Sequence, residues 1–158
     1  MEIVTALIFW LHILAAVVWI GGMVFNLFVV RPSMNVVDLP QRLKLADGIL
    51  RRFIPVVWIS VGLLVFTGLL MTLKRVASLE VLLKTGYGNV LILKLILVAV
   101  MISIVVLIRY SLLPRFESLI DSQSSDLNKV LRQMVTLVKV NLALGVLVLL
   151  LAELSAFV

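Results

Sequence analysis

The sequence predicts an all-α integral membrane protein, a single domain folded as a bundle of four transmembrane helices. The chain of 158 residues is 63% hydrophobic and has a mean hydropathy of +1.26. A soluble domain of this size has too little interior to hide so much apolar surface. Four apolar runs each reach the roughly 20 residues that cross a bilayer as a helix. The chain has no cysteine, which excludes disulfides and thiolate metal sites.

The four predicted spans cover residues 3–30, 53–73, 90–108 and 134–158. Leu, Val, Ile and Ala dominate them, and only a helix satisfies its own backbone hydrogen bonds in lipid. The first run has no basic segment before it and is too long for a secretory signal, so we expect it to be retained as a span. In the polar loops of residues 31–52 and 109–133 we expect short helices lying at the membrane interface.

The distribution of Lys and Arg predicts the orientation. The loops after the first and third spans carry five basic residues each, with Lys139 counted in the latter, whereas the loop after the second span carries three. Basic residues concentrate in cytoplasmic loops. We therefore expect a multi-pass protein of a bacterial or archaeal inner membrane, with both termini outside. No nucleic acid partner is expected despite the net charge of +6, because the basic residues lie between the apolar runs.

Besides Lys139, which lies near the start of the fourth span, three ionisable residues lie inside the predicted spans, namely His12, Lys94 and Glu153. A charge in hydrocarbon costs roughly 3 kcal/mol on insertion scales, so such residues usually mark a functional site. At the helical rise of about 1.5 Å per residue, all three fall in the outer half of a core about 30 Å thick. We therefore predict that they converge at one level. The alternative is a structural ion pair between Lys94 and Glu153 that holds no cofactor.

His12 shares one face of the first predicted helix with a set of small, soft or polar residues: Ala15, Ala16, Trp19, Gly22, Met23 and Asn26. Such small residues either permit close helix contact or leave room for a flat group. A neutral imidazole is a good ligand for iron or copper. A haem carries propionates with which Lys94 can pair. We therefore predict haem b bound through His12, with Met71 or Met101 as the second axial ligand.

This prediction implies electron transfer, or redox chemistry on a porphyrin or quinone, near the outer face. The expected partners are the lipid bilayer and a quinone, a porphyrin or a redox partner protein. A five-coordinate haem, or a haem shared between the two chains of a homodimer, is an alternative. No catalytic residue is identified, and whether the protein is an enzyme stays open.

Two other interpretations remain open. In the first, the protein handles copper, and a copper ion is bound by His12 with Met71, joined by Met101 and Glu153. The six methionines form only a sparse ladder across the membrane, and a Met in lipid is by default a flexible apolar side chain. In the second, the protein is a non-catalytic accessory subunit of a membrane complex, and its polar residues only fix helix packing.

Residues 11–23, LHILAAVVWIGGM, resemble the first-helix signature of the copper-resistance D (CopD) family. The pairs Arg31-Pro32, Arg52-Phe53 and Thr67-Gly68 and the stretch Gly86–Leu95 fit the same pattern in order. The resemblance implies a membrane protein associated with copper uptake or resistance.

A more distant similarity is to the HemJ-type haem-containing protoporphyrinogen oxidases. His12 and Lys94 match a Leu-His in the first helix and a lysine in the third, which implies haem binding. HemJ-like chains carry Leu-Pro-Arg and a further histidine at the end of the first helix, where this chain reads FVVRPS over residues 28–33.

Overall fold

The computed structural model describes residues 2–75, 86–121 and 126–154, and nearly all of them are helical. This part of the chain contains no strand. Four of its helices are long and apolar enough to cross a membrane, namely Glu2–Val36, Leu39–Lys74, Gly88–Ile120 and Leu127–Leu154. They confirm the predicted all-α membrane fold. Residues 76–85 of the predicted outer loop and residues 155–158 of the predicted fourth span lie outside the described residues.

The α-helices are α1 (Glu2–Phe25), α2 (Leu39–Arg75), α3 (Gly86–Leu107), α4 (Leu113–Asp121) and α5 (Leu127–Leu154). Between α1 and α2 lie a short α-helical turn, Arg31–Ser33, and then a 3-10 turn, Met34–Val36. Helical structure extends beyond the apolar runs, most of all at the predicted cytoplasmic end. There the polar residues flanking each run are themselves good helix formers, so backbone hydrogen bonding continues past the hydrocarbon.

The structure corrects the prediction of a separate interfacial helix within residues 31–52. α2 is one helix of 37 residues that runs through Arg51 and Arg52 and contains Pro55. At about 1.5 Å per residue it is almost twice as long as the hydrocarbon core is thick. Arginine favours helix, and a single internal proline removes one backbone hydrogen bond without ending the helix here. The amphipathic segment is therefore an extension of the second span.

The first and third spans end in the same way, through a π-helical turn that precedes a proline. Asn26–Val30 precedes Pro32, and Ile108–Leu112 precedes Pro114. A proline has no N–H to donate, and its ring crowds the preceding turn. A turn widened by one residue accommodates the ring. In the first of these turns, the Arg31 N–H bonds to the carbonyl of the residue that starts the turn.

α1 and α2 are antiparallel neighbours. Near their outer ends, Lys74 Nζ donates a hydrogen bond to Thr5 Oγ1 at 2.9 Å. Towards their inner ends, Gly22 lies under the ring of Phe53, and a Cβ at this position would be 2.5 Å from the ring carbon Cε2. A side chain at position 22 would force the Phe53 ring to move, and small residues are common where membrane helices approach closely.

α5 closes the bundle against α1 and α3. A Cβ on Gly145 would lie 3.3 Å from the side chain of Ile20 and equally near the methyl group of Met101. The buried residues form two clusters, an upper one around Trp19 and Met101 and a lower one around Phe116. Many other apolar side chains point outward and are exposed, as expected for helices whose outer surface contacts lipid.

A small salt-bridge network joins the extensions of the bundle at its predicted cytoplasmic end. Arg51 of α2 pairs with Asp47 one turn earlier at 2.9 Å and with Glu117 of α4 at 2.8 Å. The Arg51 side chain is exposed, so solvent screens both pairs and they contribute little to stability. The main stabilisation of this region comes from the lower cluster beneath it.

We predict that Phe116→Ala destabilises the protein by about 3–5 kcal/mol, because it empties a site in the lower cluster. Phe116 is 0% exposed, whereas Phe28 on the outside of the bundle is 70% exposed. Phe28→Ala is therefore the matched control and should have a small effect. Thermal unfolding of the detergent-solubilised protein, followed by circular dichroism, measures both. Equal losses in the two variants would contradict the assignment of Phe116 to the core.

Candidate functional site

His12 is bound to the neighbouring helix by a hydrogen bond. Its Nδ1 lies 2.8 Å from Oγ1 of Thr67 on α2. The Thr67 hydroxyl in turn donates to the carbonyl of Leu63 in the same helix, at 2.5 Å. This back-bond to the residue four positions earlier is usual for threonine in a helix. Leu63, Thr67 and His12 thus form a short hydrogen-bond chain between two spans.

The direction of this chain assigns the protons of the imidazole. A hydroxyl has one proton, and Thr67 gives it to Leu63, so its oxygen must accept a hydrogen bond from Nδ1–H of His12. A neutral imidazole with a proton on Nδ1 has a free lone pair on Nε2. Metal-ligating histidines are oriented in this same way, with the other ring nitrogen donating to a fixed acceptor.

Gly68 allows the ring to sit this close to α2. A Cβ at Gly68 would lie 3.3 Å from Cε1 of His12 and 3.9 Å from Nδ1. Thr67 is only 2% exposed, and His12 is partly buried. The His12 ring is therefore held between α1 and α2. Its Nδ1 forms a hydrogen bond with Thr67, and its Cε1 packs closely against Gly68.

Lys94 of α3 is partly buried and lies near enough to His12 for its charge to act on the imidazole. Glu153, by contrast, is exposed near the end of α5. Among the described residues, neither of the two salt bridges includes it. The structure therefore brings together two of the three groups predicted to converge and does not join Glu153 to Lys94.

The small and aromatic residues predicted beside His12 are mostly engaged in packing. Ala15 and Trp19 are buried within the bundle, and the space above Gly22 is filled by Phe53. Ala16 is partly buried. Close contact between helices therefore explains the small residues on this face. A haem cradle on the same face stays a prediction.

Two further residues of this face lie deeper. Met23 belongs to the upper cluster. Asn26 lies 14 positions beyond His12, roughly 21 Å along the helix, and lines a cavity at the other end of the bundle. Neither residue therefore belongs to the level of the imidazole.

The two methionines predicted as ligands occupy different depths. Met101 is 2% exposed, packs in the upper cluster and follows Lys94 by seven residues, about 10 Å further in. Met71 is partly buried and follows Thr67 by four residues, one turn further out on the same face of α2. Met71 is thus the methionine whose position suits a ligand set with His12.

Sequence reasoning missed two buried polar residues. Thr67 entered only as part of a family motif, and nothing in its neighbours distinguishes it from other hydroxyls that bond to their own helix, such as Ser60. Asn141 is 3% exposed in α5, and its Oδ1 has no hydrogen-bond partner. Asn141 could have been identified from the sequence, because it is an asparagine within an apolar run.

The class defined by this fold and site is a multi-pass helical membrane protein that holds one imidazole between two spans, beside a lysine. The chain belongs to the copper resistance protein D family, whose model matches residues 47–154, more than half of its length. The match includes Thr67 and Lys94 but not His12. Searches of curated proteins and of solved structures found no match. The similarity to HemJ-type oxidases stays a prediction.

We predict that the His12 ring carries its proton on Nδ1 and that Thr67→Val, which removes the acceptor, makes the two neutral forms coexist. Because the chain has a single histidine, ¹⁵N-histidine labelling of protein purified without a histidine tag yields one imidazole spectrum. Ser60→Ala is the control, since this buried hydroxyl bonds only to the Val56 carbonyl of its own helix. A wild-type spectrum with the proton on Nε2 would contradict the assignment.

Proposed function

We propose that this protein binds a copper ion, as the cargo of copper uptake or resistance, through Nε2 of His12 near the outer face of the membrane. The observation that carries the proposal is the hydrogen-bond chain from His12 to Thr67 and Leu63, which leaves Nε2 as a lone-pair donor. Membership of the copper resistance protein D family supports copper as the metal.

Met71 supplies a second donor of suitable chemistry. Imidazole and thioether groups both bind copper, and thioethers favour the monovalent ion. Met71 lies one turn outward from Thr67, and its long unbranched side chain adapts to the position of a bound ion. An ion held between His12 and Met71 would enter from the outer side without crossing the core.

Lys94 makes the proposed site weak. An ammonium group repels a metal cation, and the repulsion is strong where water is sparse. A site for cargo must release its ion, so a nearby positive charge that lowers affinity suits transient binding. A permanently stored ion would be better served by a neutral or acidic residue at this position.

Haem b is the second candidate, and the charge of Lys94 beside His12 favours it. A haem bound through Nε2 would carry propionates, which a lysine at this level can pair with. The burial of Ala15, one turn from His12 on the same face, counts against it, because other helices already pack there. Electron transfer or porphyrin chemistry belongs to this candidate.

We predict that purified protein binds about one Cu(I) per chain, measured by competition with a chromogenic Cu(I) chelator. His12→Ala should weaken binding at least about tenfold, equivalent to roughly 1.4 kcal/mol, and Met71→Leu should also weaken it. Lys94→Leu removes the charge without adding a metal ligand, so it should tighten binding several-fold.

Met101→Leu is the matched control for Met71→Leu, since Met101 lies deeper in the packed core. It should leave the copper affinity unchanged. Unaltered affinity in His12→Ala would contradict the proposed site. Weaker affinity in Lys94→Leu would show that the lysine supports the bound group and does not repel it.

An absorption spectrum separates copper from haem. If the copper proposal is correct, protein purified from cells supplied with a haem precursor shows no Soret band. A Soret band that shifts on reduction and is lost in His12→Ala would establish the second candidate instead. Protein that binds neither group would support an accessory role in a membrane complex.

A further inference from the structure

A second cavity lies at the opposite, predicted cytoplasmic end of the bundle and is independent of the His12 site. Its volume is about 170 Å³, and its walls come from the end of the first span, the start of α2, α5 and the end of the third span. Most of the lining is apolar, but four polar residues contribute to it, namely Asn26, Arg31, Asn35 and Arg42. Two of these are cations.

Arg42 is only partly satisfied by the protein. Its Nη2 donates to the carbonyls of Asn35 and Val37, both at 3.2 Å, which fixes the guanidinium across the turn before α2. Its Nε is buried and has no hydrogen-bond partner among the described residues. A buried N–H of a charged group without an acceptor destabilises the fold, and more so than a neutral one does. An acceptor arriving from outside the chain would remove this penalty.

Arg31 adds a second guanidinium to the same cavity. It is partly buried, and neither it nor Arg42 takes part in the salt bridges of the described residues. Of the acidic residues near this end, Asp47 and Glu117 are paired with Arg51, and Asp38 forms neither of the salt bridges of the described residues. Partly buried cations without a carboxylate partner favour an anion in the space between them.

The π-helical turns shape the walls of this cavity. In a π-turn, residues five apart lie on one face, and the turn Asn26–Val30 is closed by a bond from Arg31 back to Asn26. Both residues line the cavity as a result. Ile108, the first residue of the second π-turn, lines it as well. Such turns occur frequently at functional sites.

We propose that this cavity binds the phosphate group of an anionic phospholipid of the inner leaflet, through the guanidinium groups of Arg31 and Arg42. Guanidinium groups match phosphate oxygens with paired, charge-assisted hydrogen bonds. Basic pockets between membrane helices on the cytoplasmic side are typical sites for anionic headgroups. The volume is below the roughly 300 Å³ of pockets that enclose a whole small molecule. It suits a headgroup whose acyl chains stay in the bilayer.

Thermal unfolding in a neutral detergent tests the proposal, with phosphatidylglycerol, phosphatidylcholine or inorganic phosphate added in separate titrations. A ligand of the folded state raises the melting temperature with its concentration. We expect stabilisation by phosphatidylglycerol but not by the other two. Equal stabilisation by inorganic phosphate would overturn a lipid as the occupant, and equal stabilisation by phosphatidylcholine would overturn selection for negative charge.

Variants locate the effect within the cavity. Arg31→Gln and Ala46→Leu, which fills the cavity without changing charge, should each raise the lipid concentration needed for half-maximal stabilisation at least about tenfold. Arg115→Gln removes an exposed positive charge outside this cavity and should behave like the wild type. Arg42→Gln is not relied on, because it also releases the Asn35 and Val37 carbonyls. Unchanged lipid response in both Arg31→Gln and Ala46→Leu would overturn the proposal.

Discussion

The hydrogen bond between His12 and Thr67 determines what the outer half of this bundle can do. It lies where water is scarce, so each polar atom must find its partner within the protein. Thr67 meets this requirement by using its proton on Leu63 and its oxygen on His12. His12 is thereby left with a free lone pair on Nε2, and the metal binding proposed for the site depends on this nitrogen.

This hydrogen bond depends on the register of α1 against α2 over their whole length. Thr5 meets Lys74 at the outer end, and Gly22 receives the ring of Phe53 towards the inner end. Between these contacts the glycine at position 68 gives the imidazole its place. A shift of one residue along either helix would turn Thr67 away from His12, because successive residues on a helix point about 100° apart.

The sequence predicted the depth of the ionisable residues but not the direction in which each side chain points. Depth follows from counting residues along apolar runs, and Lys94 does lie within electrostatic range of His12. Direction depends on how each helix is rotated about its axis in the bundle. A sequence run that is apolar on all sides gives little indication of this rotation. For this reason Glu153 was expected beside Lys94, whereas it is exposed near the end of α5. The length of α2 was missed for a different reason, since no residue between Leu50 and Phe53 marks a helix end.

A packed layer separates the two polar ends of the protein. Trp19, Val61 and Met101 lie one to two turns inward from His12, Thr67 and Lys94, and all three belong to the same buried cluster. Within this part of the bundle the described polar groups are sparse: Ser60 bonds to its own helix, and Asn141 offers one unpaired oxygen. A metal ion moving inward from His12 would lose its ligands before meeting new ones, and a bare charge in such surroundings is costly. The packing therefore favours an ion that enters and leaves on the outer side, unless the helices separate.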